Sequence, residues 1–447
     1  MRRAVSPLLA VTVALVLADS AVVTLALPEI LQQLDASVTQ VSWVLISFNL
    51  VLGLVAVPAA MCFTRTPPRY LTALGIAVFA GASAWCAVAG SIDVLIAARC
   101  LQALGGAFAL VGCVELLVAE RGERRGVALW VTAGVAGTAA GPFAGGLLTE
   151  AISWQAIFVV QVPFAALAVP AALAVRAPPE TAPDRHGPAL RPNLTLALLS
   201  AALTAALFLL VLLLVEGWRH SPATAAVTVS VVAVAALAAP PLARFLRPPP
   251  EVEVAVGCFL VAGGLTGLAL LPSAHLGWTV APQVLVGLGL GLTVDRLTLR
   301  ALELRLPRVR HAGWTIGARH IGVVVGLAIL TPVFTSDLLD AEVPAQEAIT
   351  SLILDAPLEP QDKIAIAEAL GRELTAERGQ IPDLAPAFAS LDVDPASRPA
   401  TDRLARDLDE QLERAATRAF RDSFLVGALL ALLALLATVA PRRRVTT

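Results

Sequence analysis

Asp19 and Arg99 carry the most chemical potential in this 447-residue chain, because each lies inside a long apolar run. An ionisable side chain at mid-bilayer costs about 2.5–3.5 kcal/mol on insertion scales, so each such residue is a functional candidate. Asp19 precedes Pro28 by nine residues, which places it ~13 Å below the outer end of a first crossing helix. Arg99 is about six residues into a fourth crossing that starts from the same side, hence ~9 Å deep. A guanidinium can bridge that difference if the two helices are neighbours. An arginine stays charged, and a carboxylate beside it exchanges its proton when the partner moves away. The other reading is a static buried ion pair that fixes helix packing.

A second polar cluster is expected nearer the opposite end. Asp295 in the tenth apolar run and Arg319-His320 in the eleventh fall several residues from the same loop, so an Asp295–Arg319 contact is feasible. His320 has a side chain that titrates near neutral pH, although a hydrogen-bonded packing role suits it at least as well. Glu115, close to the end of the fourth run, can reach Arg121 or water.

Gly137, Gly141 and Gly145 recur every fourth residue in GVAGTAAGPFAGG. On a helix they form one row without side chains, the kind of surface through which membrane helices pack. Pro142 lies beside the row and Gly146 ends it. Proline removes a backbone donor and bends a helix, which a bilayer protein tolerates when neighbours re-satisfy the carbonyl.

Positioning these residues requires a membrane-embedded scaffold. Hydrophobic residues make up 57% of the chain and charged residues 15%, far from the ~25% charged of soluble proteins. Apolar runs long enough to cross a bilayer fall at roughly 7–27, 41–63, 70–90, 94–119, 126–149 and 155–175. Six more fall at roughly 193–215, 223–243, 253–271, 278–302, 312–335 and 422–441. With the N-terminus inside, 20 of the 32 basic residues fall in cytoplasmic segments, whereas the short outer loops hold only Arg219. That asymmetry follows the positive-inside rule. The expected fold is therefore an all-α polytopic membrane protein with 12 transmembrane helices and both termini cytoplasmic. The first run carries Asp19 and is followed by another span, so it reads as a retained helix and not a signal peptide.

Residues 336–421 break the pattern, with 18 acidic against nine basic residues. Pro360 suits a helix first turn, and Ile364, Ala367, Leu370 and Leu374 follow at helical spacing. Leu404, Leu408, Leu412, Ala416 and Phe420 make a stripe that leads into the last crossing. These predict a helical extracytoplasmic insert, with the twelfth helix extended outward, a shorter helix folded against it and a turn around 381–399.

Several motifs resemble the major facilitator superfamily, and in particular its drug:proton antiporter branch of fourteen-helix type, here shortened to twelve crossings. Gly137 to Gly146 (G-x-x-x-G-P-x-x-G-G) is similar to the fifth-helix antiporter motif. Asp19-Ser-Ala-Val-Val-Thr-Leu-Ala-Leu-Pro28 resembles D-x-T-x-V-x-x-A-L-P of the first helix. Arg99-Cys-Leu-Gln102-Ala-Leu-Gly105 resembles R-x-x-Q-G-x-G of the fourth, with Ala103 in place of a glycine. Trp43 and Trp154 to Pro163 (WQAIFVVQVP) fit the same branch. The resemblance implies that Asp19 is the proton-titrating carboxylate and Arg99 the cation that sets its affinity for protons. It also implies an N-terminal six-helix bundle at 1–176, a cytoplasmic linker at 177–192 and C-terminal helices at 193–335 and 422–447. Those are either six helices or two extra ones plus four. The loop Ala60-Met-Cys-Phe-Thr-Arg65-Thr-Pro-Pro-Arg69 lacks the glycines and the aspartate of the family's G-x-L-x-D-R-x-G-R-R.

Two functions remain open on the sequence. One is a proton-coupled efflux transporter of a small hydrophobic, amphipathic or lipid-like molecule in the cell membrane, of bacterial inner-membrane type. The other is a non-transporting membrane scaffold that binds a protein partner through 336–421. No nucleophile–base pair, metal-ligand spacing or phosphate loop suggests an enzyme. No cofactor, metal or nucleic-acid partner is expected, and the five cysteines lie in apolar stretches as packing residues.

Overall fold

A computed structural model describes residues 2–180, 187–303, 305–376, 384, 387–388 and 398–439. Twelve helices in it are long and apolar enough to cross a membrane. The first six are α1 (Ala4–Ala26), α2 (Gln40–Phe63), α3 (Pro68–Ala87), α4 (Ile92–Arg121), α5 (Glu123–Ala151) and α6 (Ala156–Ala174). Then come α7 (Leu190–Gly217), α8 (Pro222–Leu246), α9 (Pro250–Ala269), α10 (Leu276–Leu302) and α11 (Arg308–Asp355). The chain continues through α12 (Pro360–Ala376) and α13 (Arg398–Ala419) to the last crossing, α14 (Arg421–Val439).

Local chemistry sets the ends of these helices. Ser37 caps α2 and forms a capping box with Gln40; Ser91 caps α4 through the Val94 amide. Ser221 does the same for α8, with Pro222 in its first turn. Gly122 stands alone between α4 and α5 at φ +78°, a conformation that side chains rarely adopt, so the chain reverses there in a single residue. Two stretches of α7, Ala205–Leu209 and Leu213–Gly217, widen into π-helical turns. Such turns re-aim side chains and recur at functional sites.

Three apolar cores hold the membrane part together. One is built from α1 to α6, around Phe48, Phe63, Phe79 and Trp130, and also takes Val309, Ala312 and Ile316 of α11. A second joins α7 to α11 and α14, through residues such as Leu209, Val229, Val261, Val286, Leu330 and Phe424. Helices α7 and α8 are thus part of this core and are not appended to it. The third lies at the end away from the arginine-rich loops, where Ile30, Trp154 and Phe158 meet Leu327 of α11.

The eleventh crossing does not end near 335 as expected. Helix α11 runs on to Asp355, 48 residues in all, although Pro344 lies in the extension. The insert therefore begins as a continuation of a crossing helix. Ile349 and Ile353 of α11, Ile366 and Leu370 of α12, and Leu404 and Leu408 of α13 form a separate small core. Helix α13 leads directly into α14 through Phe420. Trp218 Nε1 donates to Thr417 Oγ1 at 2.9 Å, and Arg219 lies 3.6 Å from Asp409, so the insert is tied to the loop between α7 and α8. Most of the expected turn at 381–399 lies outside the described residues.

Candidate functional site: a dry ion pair behind a central cavity

Asp19 and Arg99 meet. Arg99 Nη1 bonds Asp19 Oδ2, and both side chains are 0% exposed. Removing either partner of such a pair costs about 3–5 kcal/mol, because the remaining charge is left without compensation. The pair is held in a polar network drawn from four helices. Gln102 Oε1 accepts from Arg99 Nη1 at 2.7 Å, while Gln102 Nε2 donates to Ser83 Oγ at 2.8 Å. Gln161 Nε2 of α6 donates to Asp19 Oδ1 at 2.6 Å. Arg99 Nε reaches the Val44 carbonyl at 3.4 Å, and the Phe48 ring lies 4.1 Å from the guanidinium carbon. A guanidinium on an aromatic face is stabilised by cation–π attraction once water is excluded.

Sequence reading missed Ser83 and Phe48, and named Gln161 only as part of a motif. A lone glutamine in an apolar run is the one available signal. Gly105 does not touch the network; a Cβ there would overlap the Gly75 carbonyl, so it lets α3 and α4 approach.

The glycine row packs α5 onto α1. A Cβ added at Gly137, Gly141 or Gly145 would collide with the carbonyl of Ala14, Ala18 or Val22 respectively. Gly146, one position further round, faces Ala226 and the Pro222 carbonyl of α8. Thr138 and Pro142 share that second row and line a cavity. Pro142 lies within a helix that runs unbroken from Glu123 to Ala151, and leaves the Thr138 carbonyl without its usual intrahelical donor.

Two adjoining cavities occupy the space between the two large cores. One, about 650 Å³, is bordered by Ser20 and Thr24 of α1, Asn49 of α2, Thr204 of α7 and His320 of α11. The other, about 530 Å³, is bordered by Pro142 of α5, Val232 of α8 and Val294 of α10. Thr138, Leu203, Leu207 and Arg319 border both. Both are open to solvent and lined mainly by apolar groups, as small-molecule sites are.

The second polar cluster is only partly assembled. His320 Nδ1 lies 2.8 Å from Asn49 Oδ1, with its ring buried. Arg319 points into both cavities. Asp295 is within electrostatic reach of Arg319, but among the described residues no hydrogen bond or ion pair joins them. The neighbouring Arg296 instead pairs with Glu253 of α9 at 2.8 Å. Two separate helices, α10 and α11, aim their polar groups differently although both leave the same loop.

Among the described residues Glu115 does not pair with Arg121. Arg308, at the start of α11, lies 3.4 Å from Glu115 and 3.0 Å from Glu123. Arg121 donates to Ser6 Oγ instead. Glu180 accepts from the Val309 amide at 3.2 Å, capping α11 from the opposite side of the linker. These contacts close the arginine-rich end, beneath the cavities. At the other end, Glu150 Oε2 accepts from the Ala223 amide at 2.6 Å and joins α5 to α8.

The helical fold is matched by known proteins. The Major Facilitator Superfamily model aligns with residues 9–331. The chain belongs to the Major Facilitator Superfamily. That places it in a family of transporters and not of enzymes. A crystal structure of a bacterial homologue of the human lysosomal transporter Spinster, inward-facing and occupied, superposes with a TM-score of 0.62 at 15% identity. It covers 98% of this chain and 96% of that one, which shows the shared fold.

Relatives similar in sequence are resistance and efflux proteins. A tetracenomycin C resistance and export protein of Streptomyces glaucescens is 35% identical over 37% of this chain and 31% of its own length. A multidrug efflux pump of Mycolicibacterium smegmatis is 34% identical over 35% and 32%. The chain spans about a third of the length of these curated relatives.

Proposed function

We propose that this superfamily member exports a small hydrophobic, amphipathic or lipid-like molecule across the cell membrane in exchange for protons. Residues 1–176 act as one six-helix half, and 193–335 with 422–447 as the other, rocking about the central cavities. Asp19 takes and releases the proton, and Arg99 holds the carboxylate charged until the helices shift. The Gly137, Gly141 and Gly145 row offers no side chains to hinder α5 as it moves along α1. Pro142 and Gly146 let the same helix adjust against α8.

The observation that carries this reading is the sealed Asp19–Arg99–Gln102–Gln161 network in one half, immediately behind a largely apolar cavity. A pair without water stores its charge state until a conformational change exposes it. The functions of these relatives, export and efflux, agree with an outward direction. The scaffold alternative draws on the degenerate loop between α2 and α3 and on the helices that a two-plus-four second half would lack. Arg308 with Glu115 and Glu123 supplies a charged closure at the same end as that loop, so the loop argument loses weight.

Purified protein in liposomes with a trapped pH dye tests the proposal. Amphipathic cargo added under a pH gradient should dissipate it with wild type and not with Asp19→Asn. Equal proton movement by both proteins would remove Asp19 from the mechanism.

A further inference from the structure

Arg319, in the wall of the central cavities, is a cation with no direct ion-pair partner among the described residues. It makes no hydrogen bond or ion pair among the described residues, and it borders both cavities at their junction. No carboxylate borders either cavity. Asp295, the acidic group within its electrostatic reach, lies on α10 outside the lining and also faces Arg244 and Arg296. A guanidinium remains charged at any physiological pH. In a low-dielectric wall this charge is costly unless something anionic docks on it.

The remaining polar groups of the cavity do not compete for that role. Ser20 Oγ donates to the Leu17 carbonyl, Thr138 Oγ1 to Gly134 and Thr204 Oγ1 to Ser200, each within its own helix. These three hydroxyls present lone pairs to the cavity, the Thr24 and Ser200 hydroxyls make no side-chain hydrogen bond among the described residues, and Arg319 is the charged donor of the lining. Asn49 Nδ2 is committed to the Leu45 carbonyl, so its Oδ1 faces His320 and the histidine Nδ1–H donates. His320 Nε2, buried and without a partner, is then an acceptor. Around these few groups the walls are leucine, valine, alanine and phenylalanine.

We infer that the cavity selects acidic amphiphiles, with a carboxylate or phosphate head paired to Arg319 and an apolar body between α5, α8 and α10. A planar guanidinium meets either head with two parallel N–H···O bonds, which gives orientation as well as charge. An acid of this kind enters the cavity neutralised by the protein and not by a co-transported cation. The inference rests on the transport reading for its biological meaning, but it concerns binding and is tested by binding alone.

The probes are laurate, dodecyl phosphate, dodecanol and dodecylammonium, each titrated onto the full-length protein in nanodiscs, with equilibrium affinity as the readout. Wild type should bind an acidic probe at least tenfold more tightly than dodecanol, and dodecylammonium more weakly still. Comparison of laurate with dodecyl phosphate then tells which acidic head fits. Arg319→Gln should erase the preference while leaving dodecanol affinity unchanged, and Arg319→Lys should restore part of it. Equal affinity for acid and alcohol in wild type overturns the inference. So does a preference for the ammonium, or an acid preference that survives in Arg319→Gln. Acid binding without any proton-linked transport would overturn the exporter reading and leave this one standing.

Discussion

Asp19 and Ser20 are adjacent in sequence and face different compartments. Asp19 enters the sealed network with Arg99, Gln102 and Gln161, while Ser20 borders the larger cavity together with Leu17, Ala21 and Thr24. At about 100° per residue, Leu17 and Ala21 lie on one side of α1 and Asp19 points about 160° away from both. Ala14, Ala18 and Val22 face α5 between the two. In the proposed mechanism, coupling between the acid and a cargo passes through movement of α1 itself, and the cargo need not touch Asp19.

Asp19→Asn tests the carrier. Asparagine keeps one acceptor oxygen but not the charge opposite Arg99, so folded yield should fall less than in Asp19→Ala, and proton movement is compared at equal amounts of folded protein. Cargo-dependent proton movement should fall at least tenfold in the dye assay. Asp19→Ala removes the acceptor as well and leaves Arg99 buried without a partner, a loss of about 3–5 kcal/mol that should appear as reduced folded yield.

Gly137→Ala tests the seam. The new Cβ collides with the Ala14 backbone, which no side-chain rotation relieves. Overpacking of this kind costs about 1–3 kcal/mol. Thermal unfolding followed by size-exclusion should show the loss. Gly81→Ala is the control, since a Cβ there meets nothing within 4 Å.

Arg308→Gln tests the closure at the arginine-rich end. Its side chain and that of Glu115 are each 11% exposed, whereas Glu123 is 71% exposed. The Glu115 contact should dominate, because exposed pairs contribute about 0–1 kcal/mol. Loss of even 1.4 kcal/mol shifts a two-state population about tenfold. Spin labels on α4 and α11 should report a longer mean distance in Arg308→Gln and in Glu115→Gln. Glu123→Gln should change it little.

Leu408→Ala tests whether the insert is held by its own core. Leu408 is fully buried among Ile353, Ile366, Leu370 and Leu404, apart from the three membrane cores. Truncation of a buried leucine costs about 2–5 kcal/mol. Hydrogen exchange should rise in α12 and α13 and stay unchanged in α1 to α10.

Much of this architecture is written in the sequence because its causes are local. Twelve apolar runs, the arginine bias and the caps at Ser37, Ser91 and Ser221 each depend on a few consecutive residues. So does the Gly137–Gly145 row, whose partner surface on α1 was nevertheless invisible. The meeting of Asp19 with Arg99 could be expected from their similar depths together with the resemblance that makes the first and fourth crossings neighbours. What could not be read is which way a side chain turns once its helix has neighbours. Asp295 and Arg319 have matching depths but no bond, because rotation of α10 and α11 about their own axes decides that. Arg308 with Glu115, Gln161 with Asp19, and the outward run of α11 to Asp355 follow from packing between segments far apart in the chain. The sequence alone determined which groups are buried in the membrane and roughly how deep. The tertiary structure decided which of them face each other and which face the cavity, since helix rotation and crossing are set by contacts that no single segment contains.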